Sequence, residues 1–148
     1  MGLLGLWIVS LGFLGYFFVK GNATKNDDGR LAISLKRDEK NLVLAEMRQL
    51  LSGIQLIIEG VTNNDLKIVE RTASSLGMKA AADVNPVLMT KLPLDFKSTG
   101  MSVHARFDEL ALRTRNGLGR EAVLKEVSDI LITCVGCHQA YRLDDVND

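Results

Sequence analysis

The sequence predicts an all-α protein, an antiparallel four-helix bundle preceded by one N-terminal transmembrane helix. Three observations lead to this prediction. Apolar residues recur every three or four positions along four segments between residues 38 and 143. The chain has only two prolines, both between the second and third of these segments, and few of the alternating runs that are typical of strands. Residues 3–19 form an apolar stretch without a charged side chain.

The composition limits the number of domains and the class of partner. With 148 residues, the chain is long enough for one domain and a short appendage. Its 18 basic and 18 acidic residues balance. A nucleic acid or another polyanion is therefore not an expected partner.

Residues 1–20 are predicted as a transmembrane anchor. The apolar stretch 3–19 is close to the shortest that crosses a bilayer, and Trp7 and Tyr16 stand towards its two ends, as interfacial aromatic residues do. The alternative is a cleaved signal peptide, with residues 21–23 as a small-residue cleavage site, but no Lys or Arg precedes the apolar stretch. We therefore expect the anchor to be retained.

A polar linker and a bundle domain are predicted to follow the anchor. Residues 21–37 are mostly polar or glycine and are expected to form the linker. The bundle domain is expected to comprise residues 38–148, and residues 83–99, which hold both prolines, are expected to fold over one end of it. The four predicted helices run over about 38–60, 65–82, 101–115 and 119–143.

The last predicted helix contains the sequence Cys134-Val135-Gly136-Cys137-His138. Cys-x-x-Cys-His is the attachment motif of a c-type haem, because two thiols one helical turn apart can bond to the vinyl groups of one porphyrin while the imidazole binds the iron. The chain has no other cysteine, which excludes a zinc site of four thiolates. A redox dithiol is the alternative, but such a motif normally lies in a strand–helix–strand unit, and this segment shows no pattern of that kind.

The motif extends through Tyr141 and Arg142 to Cys-x-x-Cys-His-x-x-Tyr-Arg. This string, on the closing helix of a predicted four-helix bundle, resembles the cytochrome c′ family. The pair Arg48-Gln49 on the first predicted helix is a weaker point of likeness. The resemblance covers about residues 38–143 and implies a bundle around one covalently bound haem c.

The resemblance also implies roles for particular side chains. Cys134 and Cys137 would form the thioether bonds to the haem, and His138 would be the proximal ligand of the iron. Arg142 would contact the haem as a basic group. Many members of the family have no sixth ligand and bind small gases, whereas related electron-transfer members use a methionine of the first helix.

The periodicity of the first helix makes Met47 the candidate sixth ligand, because this residue lies at the centre of the apolar face. Alignment through Arg48-Gln49 would indicate Ser52 instead, but Ser52 lies on the opposite side of the helix. Met47 as a residue that only fills the core is the alternative. His104 is expected on the inner face of the third helix as a haem contact, with ligation of the iron as a further alternative.

These residues predict a membrane-anchored monohaem c-type cytochrome that transfers single electrons to or from a membrane or periplasmic redox partner. One alternative is a five-coordinate protein of the cytochrome c′ type that binds nitric oxide or carbon monoxide. Another is a haem subunit of a larger respiratory or photosynthetic membrane complex. An enzyme is not expected, because no acid–base pair accompanies the motif.

The haem prediction and the charges that flank the apolar stretch favour opposite locations for the C-terminal part of the chain. Lys20 and Lys25 follow the apolar stretch, which would keep the C-terminal part inside the cell. Attachment of a c-type haem resembles a process that bacteria carry out outside the cytoplasmic membrane. We therefore expect a single-pass protein of the bacterial inner membrane with its haem domain in the periplasm, either as a homodimer or within a membrane complex.

Overall fold

The computed structural model describes residues 2–82 and 84–146, with side chains from residue 5 onward. Residue 1 of the predicted anchor, residue 83 of the predicted connection and residues 147–148 of the predicted bundle domain lie outside that description. The elements in chain order are α1 Gly2–Lys20, β1 Ala23–Lys25, β2 Leu31–Leu35, α2 Arg37–Thr62, α3 Leu66–Ser75, α4 Pro86–Lys91, α5 Leu94–Arg115, α6 Arg120–Ala140 and β3 Tyr141–Asp145.

Four of the helices, α2, α3, α5 and α6, pack around one apolar core. Helices α3 and α5 run in opposite directions: Glu70 on α3 pairs with Arg115 near the end of α5, whereas Leu76 just after α3 contacts His104 near the middle of α5. Many of the apolar positions at helical spacing enter this core, such as Ile57, Val69 and Val127, whereas Leu124 is 44 % exposed. This core is here called the bundle core. Five of its residues have no exposed surface, namely Ile57, Val69, Ala73, Phe107 and Val123.

The turn between α2 and α3 shows how local sequence sets the helix boundaries. Asn64 has a φ of 57°, a left-handed conformation that asparagine tolerates better than most residues. The side chain of Asp65 then caps α3, because its Oδ1 accepts hydrogen bonds from the backbone amides of Lys67 and Ile68, each at 3.1 Å. The chain reverses within three residues, which brings α3 back along α2.

The all-α prediction is wrong, because the chain contains a three-stranded sheet in the order β1-β2-β3. Strand β2 pairs antiparallel with β1 and parallel with β3, with Leu31 opposite Tyr141. Residues 21–37, predicted as a polar linker, thus supply two strands, and residues 141–143, predicted as helix, belong to the third. The physical reason is burial: Ile33 and Leu35 have no exposed surface.

A second apolar cluster, here called the sheet core, joins this sheet to α4 and to the starts of α2 and α5. Helix α4 lies within the predicted connection; it starts where Asn85 Oδ1 accepts a hydrogen bond from the amide of Val87 at 2.8 Å. Helix α6 ends at Ala140 because Tyr141 turns into the sheet core and its ring packs edge-on against Phe96 at 5.3 Å. The buried residues of the sheet core are Ala23, Ile33, Leu35, Val43, Leu88, Leu92 and Phe96.

The predicted transmembrane helix is also corrected. Helix α1 has 19 residues, Gly2–Lys20. Within the described part of the chain, no helix is both long enough and apolar enough to cross a membrane. This finding overturns the predicted anchor and the predicted single-pass location in a bacterial inner membrane with a periplasmic haem domain.

The C-terminal end of α1 is fixed tightly against the junction of α4 and α5. Gly21 has a φ of 59°, and a Cβ atom on it would come within 2.5 Å of Pro93 N and 2.6 Å of Lys91 O. The next residue, Asn22, donates its backbone amide to Lys91 O at 2.6 Å. Only glycine fits this position, because it combines a left-handed conformation with close approach of another backbone segment.

Replacing Gly21 by alanine is expected to lower the free energy of unfolding by about 2–4 kcal/mol, since the backbone must shift in addition to adopting a strained φ. Chemical denaturation followed by circular dichroism measures the change. Gly29→Ala is the matched control, because Gly29 also has a positive φ, 86°, but has open space around its Cβ position. The control is expected to lose only about 1 kcal/mol. Equal losses in the two variants would contradict the steric argument.

Candidate functional site

The Cys-x-x-Cys-His motif occupies the last two turns of α6. Cys134, Cys137 and His138 stand three and four positions apart, so their side chains project from the same side of the helix. Both cysteines are half-buried free thiols. Cys134 packs against the bundle core and Cys137 packs against the sheet core. The motif therefore lies where the two apolar clusters meet.

A cavity of about 470 Å³ opens at this junction, between α2, the segment around α4, the first half of α5 and the end of α6. Its volume is within the range of cofactor and ligand sites, and its lining is mostly apolar, as in such sites. Five of the residues predicted from the sequence line it together: Cys134, Cys137, His138, Met47 and His104.

The environment of the two thiols argues against a redox dithiol. Burial raises the pKa of Cys134 and of Cys137, so both are protonated at neutral pH. Reactive pairs of this spacing have lowered pKa values and often lie at the N-terminus of a helix, whereas these residues lie at the C-terminal end of α6.

His138 lies at the rim of the cavity. Its side chain lines the cavity but is exposed to solvent, whereas the sequence pattern predicts it on the buried side of the helix. Val135 and Gly136, between the two cysteines, are also exposed. The two cysteines of the motif are thus half-buried, whereas Val135, Gly136 and His138 are exposed to solvent.

Met47, on α2, lines the same cavity as the motif. It is half-buried and packs against the sheet core together with Cys137. Two further methionines, Met89 of α4 and Met101 of α5, line the same cavity, whereas Met78 is 40 % exposed and lies outside it. Three thioether groups are therefore available from three different helices.

His104 is buried in the wall of the cavity and both of its ring nitrogens have acceptors. Nδ1 lies 2.7 Å from the carbonyl oxygen of Leu76, and Nε2 lies 3.0 Å from Oε1 of Glu46. A carbonyl and a carboxylate can only accept, so this arrangement favours the imidazolium form of the ring, in which both nitrogens donate. The hydrogen bond with Glu46 raises the pKa of His104 above its ordinary value, against the effect of burial. In this arrangement neither nitrogen has a free lone pair for iron.

The pair of His104 and Glu46 should make stability depend on pH. Because the folded-state pKa of His104 is raised, the stabilisation is fully present below the unfolded value of about 6.5 and is lost as the pH rises through the folded value. Glu46→Gln is expected to cost about 1–2 kcal/mol of unfolding free energy near pH 6 and progressively less at higher pH. Denaturation at a series of pH values measures this. Glu109→Gln, on the exposed side of α5, is the control, and a pH-independent loss in Glu46→Gln would contradict the assignment.

Arg142, predicted as a haem contact, is not brought to the cavity. It lies in β3, where its Nε donates to Asp144 at 2.8 Å and its Nη1 to Asp28 at 3.3 Å. Because the helix ends at Ala140, Arg142 does not continue the helical face that carries His138. Its guanidinium instead ties β3 to the turn between β1 and β2.

Two charged residues in the wall of the cavity were not found by sequence reasoning. Glu46 precedes Met47 and has no distinguishing pattern in the sequence. Lys97 lies in the segment predicted as a connection, where a lysine has the ordinary appearance of a solvated charge. In the structure Lys97 is only 8 % exposed.

The donor groups fit a c-type haem better than a metal ion held by protein side chains alone. Over residues 2–82 and 84–146, no group of three or more His, Cys, Asp or Glu side chains is arranged to hold a metal ion. A haem needs only axial ligands from the protein, here an imidazole and a thioether, together with two thiols and an apolar cavity. All of these are present at the junction of the two cores.

Comparison of the chain with protein-family models, with curated proteins and with solved structures gives no match.

Proposed function

We propose that this protein is a cytochrome c′-like monohaem c-type cytochrome that exchanges single electrons with another redox protein. The observation that carries the proposal is that Cys134, Cys137 and His138 line one apolar cavity together with Met47. The four side chains come from two helices, Met47 from α2 and the other three from α6. This is the set of groups that covalent attachment and axial ligation of one haem need.

Each residue would hold the haem in a defined way. The thiols of Cys134 and Cys137 would add across two vinyl groups, so that each sulfur forms a bond to one vinyl carbon and the thiol hydrogen passes to the other carbon. Their protonated state at neutral pH is compatible with this addition, which needs no oxidant. His138 would bind the iron through a ring nitrogen, and Met47 would bind it through its sulfur.

When bound, the haem would supply one iron that alternates between the ferric and ferrous states. The apolar lining of the cavity would keep water away from it, and a methionine ligand opposite histidine would raise the reduction potential. The exposed side of the motif, with Val135 and His138, would let a redox partner approach the site. The balanced net charge of the chain predicts only a modest dependence of this encounter on ionic strength.

The second candidate function is the binding of nitric oxide or carbon monoxide to a five-coordinate haem. The observation that favours it is the apolar wall of α2, where Leu50 lines the cavity one turn from Met47. With Met47 acting only as a core residue, this wall would form a pocket for a small apolar gas.

The test is expression of the full chain with a c-type haem attachment system, followed by optical spectroscopy and a redox titration. Electron transfer predicts a low-spin ferric spectrum, a single one-electron reduction step and no spectral change with carbon monoxide. A high-spin ferric spectrum with an immediate response to nitric oxide would replace this proposal by gas binding. A chain that carries no covalent haem would contradict both functions.

A further inference from the structure

Lys97 is a buried cation that forms no ion pair with any carboxylate in the described part of the chain. The residue is 8 % exposed, and its Nζ donates to the carbonyl oxygen of Phe18 at 3.2 Å and stands 3.9 Å from the centre of the Phe18 ring. Burial lowers the pKa of Lys97. A buried ammonium group satisfied only by a carbonyl and a ring is costly compared with one that is paired.

Lys97 lies in the lining of the proposed haem site. Lys97 lies in the first turn of α5, directly after Phe96 of the sheet core, and lines the cavity that holds Cys134 and Cys137. The neighbouring cavity residues Thr99 and Gly100 carry no charge. Arg142, the basic residue expected at a haem, is paired with Asp28 and Asp144 in the sheet.

We propose that Lys97 is the residue that binds a carboxylate of the porphyrin, namely a propionate of the haem held by Cys134 and Cys137. The inference rests on the proposed function, because it needs a haem in this cavity. Glu46, the carboxylate in the described lining of this cavity, is paired with His104, so a carboxylate of the porphyrin would supply an ion pair to Lys97, and pairing in a water-poor cavity is stronger than at a surface. The lysine stem is long and flexible, so its ammonium group can leave Phe18 for the ligand.

The test compares a porphyrin that carries free carboxylates with one whose carboxylates are esterified. The full chain with Cys134→Ala and Cys137→Ala, here called the parent chain, is used because it can hold porphyrin only without covalent attachment, and it is expected to bind haemin. Its dissociation constants are measured for haemin and for haemin dimethyl ester, in which both propionates are esterified. Adding Lys97→Met, which keeps an apolar stem of similar length, is expected to weaken haemin binding by about tenfold or more while leaving the ester unchanged.

Two further variants of the parent chain serve as controls. Lys67→Met, on the exposed side of α3, removes a lysine far from the cavity lining and should change neither dissociation constant. Lys97→Arg should keep most of the preference for haemin over its ester, because it keeps the positive charge.

The two ways in which the test can fail are distinguishable. Haemin binding that Lys97→Met leaves unchanged, or an equal loss for haemin and for the ester, would overturn the role of Lys97 and leave the proposed function in place. Failure of the parent chain to bind either porphyrin would overturn this inference, whereas the proposed function is overturned only if the unmodified chain acquires no covalent haem.

Discussion

Replacing both Cys134 and Cys137 by alanine is expected to remove covalently bound haem completely. Thioether bonds need both sulfur atoms, and the chain contains no other cysteine that could substitute for them. After expression with a haem attachment system, mass spectrometry of the denatured chain should find the mass of the polypeptide alone. Single replacements should leave at most one thioether bond and a vinyl group, which shifts the absorption maximum of the reduced protein.

Val135→Ala provides the matched control for the cysteine replacements. Val135 lies between the two cysteines but is 54 % exposed and does not line the cavity. This variant should carry the same amount of covalent haem as the unmodified chain. If the double alanine variant kept covalent haem, or if the unmodified chain never acquired it, the assignment of the motif would be wrong.

Replacing Met47 by alanine is expected to convert a low-spin ferric spectrum to a high-spin one. The thioether of Met47 is half-buried in the cavity lining and can supply an axial ligand, whereas alanine offers no donor atom. The same change should lower the reduction potential and allow carbon monoxide to bind the reduced protein. Optical spectroscopy and a redox titration measure these effects, and the truncation should cost about 1–2 kcal/mol of stability because Met47 is only partly buried.

Met78→Ala is the control for this experiment, because Met78 is exposed and lies outside the cavity. Its spectrum should match that of the unmodified protein. A low-spin spectrum that persists in Met47→Ala would contradict the assignment. Met89→Ala and Met101→Ala would then identify which of the other two thioethers in the cavity binds the iron.

The helices of the bundle could be predicted because their information is local. A run such as Val43, Ile54, Ile57 and Val61 defines one face at helical spacing, and these residues are buried in the structure. The sheet could not be predicted in this way. Strand β2 has only five residues, and its partner β3 follows a helix at the other end of the chain, so no short window of sequence contains the pairing.

The residues of the candidate site were likewise predictable only where the information is local in the sequence. Cys134, Cys137 and His138 are recognisable because the motif is contiguous in sequence. The position of Arg142 differs from the prediction because α6 stops at Ala140, a boundary set by packing of the following tyrosine on α5. The role of Lys97 can be inferred only from its burial, and that burial depends on how α1, α4 and α5 pack together.

The parallel pairing of β2 with β3 also has a consequence for the order in which the chain folds. It joins Leu31 to Tyr141, so nearly the whole bundle lies between the two strands in sequence. Closing so long a loop is entropically costly, and contacts of this kind form late. We therefore expect α6 to end in a free segment until the bundle has formed. During that interval an attachment enzyme could reach both thiols, and closure of the sheet would then fix the end of α6 around its product.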